Sequence, residues 1–208
     1  MERFRASKLA EHPGISKANT RIYSVTLNHC LVFLLYFNLS YYTIKILDII
    51  KKTMRIKLTP LTLNRTEDYL RWFNNQQVRK YLDKETPKTK GEISKWLKRT
   101  IKESLYFSIF LIGENINIGH VGIKNINKAN KSAKIGIVIG EIDFQRKGIG
   151  KEAVNLILEK CKSLGLRKIT AKIQRGNKAS YCLFTRLEFK PISTQDKQNL
   201  HLEYLFEQ

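Results

Sequence analysis

The stretch DFQRKGIGKEAVNLILEKC, Asp143 to Cys161, joins a buried-strand pattern, KIGIVIG (134–140), to an amphipathic helical pattern through Gly148 and Gly150. A helix entered from such a turn has first amides without intrahelical partners. Those amides and the helix dipole make an anion site, and glycine lets the anion approach without a Cβ in the way.

Phosphate-binding motifs fit the stretch unequally. A P-loop needs G-x-x-x-x-G-K-[ST], but no glycine stands at the right distance before Gly150, and Lys151 is followed by Glu152. Gly148, Gly150 and Ala153 satisfy G-x-G-x-x-A, the dinucleotide fingerprint. That motif also wants an acidic residue at the end of the next strand, where this chain has Gln174 and Arg175. A plain glycine turn that only lets strand meet helix is a further reading. The remaining motif, Q/R-x-x-G-x-G/A, has every fixed position filled, by Gln145, Gly148 and Gly150.

Outward from that stretch the pattern predicts an ordered series of elements. Upstream are a strand over 55–61, helical segments over 66–75 and 76–82 with Thr66 as N-cap, and a helix over 91–103. Three strands rich in Ile, Val and Phe follow, at 106–112, 116–126 and 132–140, and their short turns make them antiparallel neighbours. Downstream, helix 149–164 ends at Gly165 as its C′ residue, and strand 167–174 closes a βαβ unit whose two strands are parallel. A helix over 178–187 and strands near 189–194 and 199–206 complete an α+β domain with a mixed, mostly antiparallel sheet.

From Met54 onward the chain resembles the GCN5-related N-acetyltransferase (GNAT) superfamily, particularly its ribosomal-protein-alanine-acetyltransferase-like branch. Two motifs carry the resemblance. One is the Gln145, Gly148, Gly150 signature; the other is GNKASYCLFTRLEF (176–189), similar to the family's N-x-A-S-x-x-L-(F/Y)-x-(K/R)-L-G-F helix. The resemblance implies the GNAT fold, with acetyl-CoA as cosubstrate bound at the central parallel βαβ unit. Its pyrophosphate would lie on the amides of Gln145, Arg146, Lys147, Gly148, Ile149, Gly150 and Lys151. The pantetheine arm would run past Ile139, Asn177, Ser180 and Phe184. The thioester carbonyl would meet a backbone N–H within Ile137 to Glu141.

Two positions depart from the family pattern. Phe184 stands where many members carry a tyrosine that protonates the leaving thiolate. Glu188 replaces the glycine before Phe189, which puts the usual positive-φ turn in doubt. Tyr181, three residues before Phe184, is the candidate substitute acid, a packing or rim role being the alternative.

Glu141 and Asp143 are the carboxylates at the C-terminal end of the signature strand, where ligands sit in open α/β sheets. Glu141 is the candidate base, or a solvated strand-end residue; Asp143 reads as a turn residue. His120 is either a packed core imidazole or a residue bordering the acceptor site, and it is expected on the same face as Ile118 and Gly122. In the segment 74–90 and just before it, Trp72, Arg79, Tyr81 and Asp83 are candidate acceptor contacts, with a core role the alternative for Trp72.

The acceptor implied by the resemblance is a small molecule with a primary amine, an amino sugar of a nucleotide-linked glycan precursor above others. Protein N-termini, polyamines and a catalytically silent CoA-binding sensor are the alternatives. The formal charge of +20 over 208 residues suits an anionic ligand. The cations are scattered, with no arginine stripe, zinc-finger spacing or RNA-binding aromatic signature, so no specific nucleic-acid partner is expected.

Cys30, Cys161 and Cys182 have no CxxC or metal-ligand spacing and read as reduced thiols of a cytoplasmic protein. The four histidines are too dispersed to propose a metal site. Residues 1–53 differ from the rest: an apolar run, CLVFLLYFNLSYYTIKILDII (30–50), is interrupted by Asn38, Lys45 and Asp48. The segment is expected to be an upstream-start artefact, with the fold beginning at Met54. A membrane-associated segment over 22–50 and a structured extension are the rivals. The domain at 54–208 is expected to be a monomer or homodimer.

Overall fold

The computed structural model describes residues 54–207, which belong to one compact unit beginning at Met54. The expectations for residues 1–53, the 22–50 segment included, lie outside the described residues. Among the described residues no helix is long and apolar enough to cross a membrane.

Strand β1, Ile56–Pro60, leads through a 3-10 turn at Leu63–Arg65 into helices α1, Thr66–Asn74, and α2, Gln76–Arg79. Helix α3, Lys90–Glu103, is followed by β2, Leu105–Leu111, β3, Asn117–Asn127, and β4, Ser132–Ile139. A 3-10 turn at Ile142–Phe144 then brings the chain to α4, Ile149–Ser163, and β5, Lys168–Gln174. Helix α5, Lys178–Thr185, and strands β6, Lys190–Ile192, and β7, Asn199–Leu205, finish the chain. The seven strands lie in the order β1-β2-β3-β4-β5-β7-β6. Among the described residues only β4 and β5 pair in parallel, as the βαβ reading expects.

Two local signals differ from expectation. Thr66 is not an N-cap: its hydroxyl donates to Leu63 O at 2.8 Å from the first helical position, so the preceding 3-10 turn delivers the chain into α1. Helix α3 starts at Lys90 rather than Gly91 because Thr89 and Glu92 form a capping box, each side chain satisfying the other residue's amide.

Each sheet face carries its own core. On one side α4 and α5 cover a cluster that includes Val121, Ile135, Ile157, Ile169 and Leu202. On the other, α1 and α3 bring Tyr69, Trp72, Phe73, Ile93 and Leu97 together. A β-bulge at Ile118 on β3, which is the extra residue opposite Ile109 and Phe110 of β2, breaks the alternation of β3. Ile118 therefore joins the α4 side, while His120 faces the aromatic cluster on the α1–α3 side. The expectation that Ile118 shares a face with His120 fails at that extra residue.

Helix α5 keeps the family's terminus without its glycine. Glu188 adopts φ +66°, and Glu188 and Phe189 donate to the carbonyls of Thr185 and Phe184, a Schellman closure. The Phe184 ring packs edge-on against Phe189 at 4.9 Å between centroids, the apolar contact that accompanies such a closure. A non-glycine residue in this region costs about 1 kcal/mol, partly offset by the greater chain entropy of glycine when unfolded. Glu188→Gly is thus expected to raise stability by up to about 0.5 kcal/mol in urea melts; a lowered midpoint would contradict the strain at this turn.

Candidate active site

The parallel register of β4 and β5 runs from Ser132–Lys168 to Ile135–Ala171 and stops. Beyond it β4 stays on β3 as far as Ile139, and β5 stays on β7 as far as Gln174. The two strands therefore part from Gly136 onward. Gly140 N–H donates to Ile118 O on β3, so the two-residue period of a strand turns the amides of Ile137 and Ile139 toward the gap.

At the upper end of β4 the loop makes a concave row of amides. Arg146 has φ +59° and Gly148 φ +81°. The amides of Arg146 to Gly150 have no acceptor among the described residues; the first to bond are Lys151 and Glu152, both to Gly148 O. Gln145 Nε2 donates to Ile139 O at 2.9 Å, fastening the loop to the strand. Five free amides in succession, with cationic Arg146, Lys147 and Lys151 on the same turn, fit a diphosphate.

Gly148 and Gly150 differ in what they do. A Cβ on Gly148 would meet only Arg55 Nη2, at 3.4 Å, and its φ is what requires glycine. A Cβ on Gly150 would lie 3.3 Å from Leu183 Cδ2 and 3.8 Å from Ile137 Cδ1. Gly150 lets α5 approach α4, so packing explains its glycine as well as ligand approach does.

The N-terminus of α5 stands at the same edge of the sheet, since β4 and β5 run parallel. Asn177 caps it by accepting from Ser180 N at 3.1 Å. Tyr81 reaches this corner and donates to Gly176 O at 3.2 Å, and Gln174 Nε2 donates to Leu82 O at 3.0 Å. The segment after α2 is thereby tied over the end of β5, on the side from which an acceptor would reach the gap.

Glu141 lies at the end of β4 and accepts from Arg71 Nη2 and from Trp72 Nε1, the latter at 2.9 Å. Burial raises its pKa, but the hydrogen bonds from Arg71 and Trp72 and the charge of Arg71 outweigh it, and the carboxyl is held below its ordinary value. Trp72 is not an acceptor contact: it is 1% exposed, and a Cβ on Gly140 would collide with its ring. The missing side chain lets the indole slide under β4 and orient Glu141. Arg79 is likewise structural, its guanidinium donating to Phe73 O at 2.8 Å and Thr86 O at 2.9 Å, which fastens the 80–86 loop to α1.

His120 is a core residue. It stacks on Tyr69 at 5.3 Å and is ringed by Phe73, Trp96 and Tyr106; burial pushes its pKa down to about 3, so it is neutral at physiological pH. The phenol proposed in place of the family tyrosine is also displaced. Three helical residues turn through about 300°, leaving Tyr181 about 60° round from Phe184. Tyr181 lines a separate cavity of about 280 Å³ with Arg175, Ile192 and Leu200, on the β7 side of β5 and away from β4. Phe184, 4% exposed, belongs to the core and to the helix terminus. Among the described residues no three His, Cys, Asp or Glu side chains gather as a metal site.

Two residues join the site that the sequence did not single out. One is Tyr106, on the α1–α3 side of the gap. The other is Arg55, which donates to Lys147 O at 2.8 Å and is held by Glu152 in the first turn of α4. Because a trans peptide sets its C=O and N–H antiparallel, holding the Lys147 carbonyl aims the Gly148 amide the other way. Arg55→Ala is therefore expected to weaken acetyl-CoA binding about tenfold by calorimetry, near 1.4 kcal/mol, without unfolding the protein. Unchanged affinity would show that the loop holds its shape unaided.

Comparison with known proteins agrees with this geometry. Residues 55–190 match the family model of the acetyltransferase (GNAT) domain. An uncharacterised protein of Methanocaldococcus jannaschii is 33% identical over 156 residues, 74% of this chain; the chain spans only about a third, 31%, of that relative's length. The crystal structure of a domain from the same organism superposes with a TM-score of 0.65 at 26% identity, over 73% of this chain and 99% of that one. The microcin C7 self-immunity acetyltransferase MccE, solved with acetyl-CoA and AMP, shares the fold at a TM-score of 0.61 and 19% identity, over 73% of this chain and 93% of its own. These matches spread across the family and do not single out a ribosomal-protein-alanine branch. With the parted parallel strands, the free amides of the Gln145–Gly150 turn and a family model over most of the described residues in agreement, the chain belongs to the GNAT acetyltransferases, whose cosubstrate is acetyl-CoA.

Proposed function

We propose that this chain transfers the acetyl group of acetyl-CoA to a primary amine of a small acceptor, an amino sugar carried on a nucleotide being the class its residues suit best. The observation that carries the reading is the run of five unpartnered amides, Arg146 to Gly150, beside the gap between β4 and β5. Acetyl-CoA supplies an activated thioester. Arg146 to Gly150 would hold its pyrophosphate, and the amides of Ile137 and Ile139 are placed to polarise its carbonyl, an effect worth about a hundredfold or more. Asn177 and Ser180 flank the arm between them. Glu141, oriented by Trp72 and Arg71, takes the amine proton directly or through water.

Charge supports the acceptor class. A protein with a formal charge of +20 attracts a second pyrophosphate and repels a cationic polyamine. MccE, a protein of related fold, was solved in complex with both acetyl-CoA and AMP, which is in keeping with a nucleotide-bearing acceptor. The burial of Phe184 favours a second reading, a silent CoA-binding module, because no phenol stands at the family position.

Thiol release from acetyl-CoA, followed over nucleotide-linked amino sugars, N-terminal peptides and spermidine, separates these readings. Release with the amino sugars is expected. Release only with peptides or spermidine would move the acceptor class, and acetyl-CoA binding without release on any amine would establish the silent module.

A further inference from the structure

Tyr106, Gly122 and Gly136 are directly opposite one another on β2, β3 and β4. Their side-chain positions share the α1–α3 face, and only the first is filled. A Cβ on Gly122 would come within 2.7 Å of Tyr106 Cγ, and a Cβ on Gly136 would collide with Tyr106 Oη. The ring is thus laid across two strands by two absent side chains. Its hydroxyl ends over Gly136, the first residue of β4 with no partner on β5, which is the apex of the gap.

The other phenols near the site are committed elsewhere. Tyr69's hydroxyl is enclosed without a partner, Tyr81's is spent on Gly176 O, and Tyr181 faces the cavity beyond β5. Phe184 has no hydroxyl to offer. Tyr106 is only half-buried, and its hydroxyl has no hydrogen-bond partner among the described residues.

We propose that Tyr106 is a catalytic residue, its hydroxyl meeting the reacting thioester from the α1–α3 face and relaying a proton from the attacking nitrogen to the departing sulfur. The proposal rests on the acetyl-CoA reading above. Glu141 takes the first proton, from the incoming ammonium, and leaves a neutral amine; as the C–N bond then forms and the C–S bond breaks, Tyr106 Oη gives its proton to sulfur and receives the second proton that nitrogen must lose. The products are the amide and free CoA thiol, and the phenol is regenerated. Burial, with the charge of Asp83 adding to it, pushes the Tyr106 pKa up to about 12, so the group stays neutral and can donate and accept in the same step. Its edge contact with neutral His120, 5.6 Å between centroids, helps keep the ring in place.

Tyr106→Phe removes one oxygen and leaves the ring over both glycines. On the best primary amine found in the thiol-release panel, kcat is expected to fall about a hundredfold, the usual size of a positioned proton-transfer group. Acetyl-CoA affinity by calorimetry should stay within about twofold, since uniform binding is not what the hydroxyl supplies. In protein labelled with ¹³C at tyrosine Cζ, the resonance missing from Tyr106→Phe should shift in the wild type when acetyl-CoA is added, with no acceptor present. Gly136→Ala, which pushes the hydroxyl off the apex, should lower kcat similarly, and it serves as the second variant if Tyr106→Phe does not fold. A kcat within about twofold of wild type in the folded variant, or a Cζ resonance unmoved while calorimetry reports binding, overturns the role of Tyr106 alone. Absence of calorimetric binding to the wild type overturns the acetyl-CoA reading, and this proposal falls with it.

Discussion

Gly148→Glu is expected to abolish acetyl-CoA binding, with affinity reduced by at least about a hundredfold in calorimetry. Four effects act at one position. Gly148 sits at φ +81°, so any side chain strains the turn. The new carboxylate would occupy the space the free amides surround, and it would repel the phosphates. Arg55 Nη2 lies 3.4 Å from where the new Cβ would stand, so the carboxylate also acquires a cation that holds it there. Gly148→Ala separates the contributions, since it adds strain without charge and should weaken binding only about fivefold, by about 1 kcal/mol of backbone cost. Undiminished affinity in a folded Gly148→Glu protein would remove this loop from the cofactor site.

Glu141→Gln is expected to lower kcat/KM about a hundredfold while leaving acetyl-CoA affinity unchanged. Glutamine keeps an oxygen for Trp72 Nε1 and Arg71 but cannot take a proton. The wild-type carboxyl is held below its ordinary value, so it is ionised throughout the physiological range. The acidic limb of the wild-type kcat/KM profile should therefore lie below that of an ordinary glutamate, and the variant should lose this limb. The same shift bears on stability. The group's contribution is fully present above its unfolded pKa, near 4.3, and is lost as pH falls through the lower folded value. Thermal melts across that window should show a shallower acid loss in the variant. Near-normal activity with an unchanged profile would assign the proton path elsewhere.

Much of the geometry of the candidate site was legible from local residues. Gln145, Gly148 and Gly150 follow a buried strand and open a helix, and Asn177 caps the next one, all within a few positions of their partners. The three antiparallel strands and the parallel unit followed from turn length and crossover length. What misled was chemistry that depends on context. Trp72, Arg79 and His120 have side chains that recognise ligands as readily as they satisfy a core, and only burial tells which. The bulge at Ile118 carries no sequence mark, yet it decides which side chains of β3 face α1.

Sequence alone determined the anion-binding turn, because positive φ, helix-start amides and capping are set by neighbours along the chain. Tertiary structure decided how the site is finished. Arg55 meets Glu152 across 97 positions, and Trp72 meets Glu141 across 69. Tyr106 reaches Gly136 only because β2, β3 and β4 align in one register with Gly122 between. Such contacts depend on strand register and on which residues lack a side chain at a crossing point, and a shift of one residue would turn every partner to the other face.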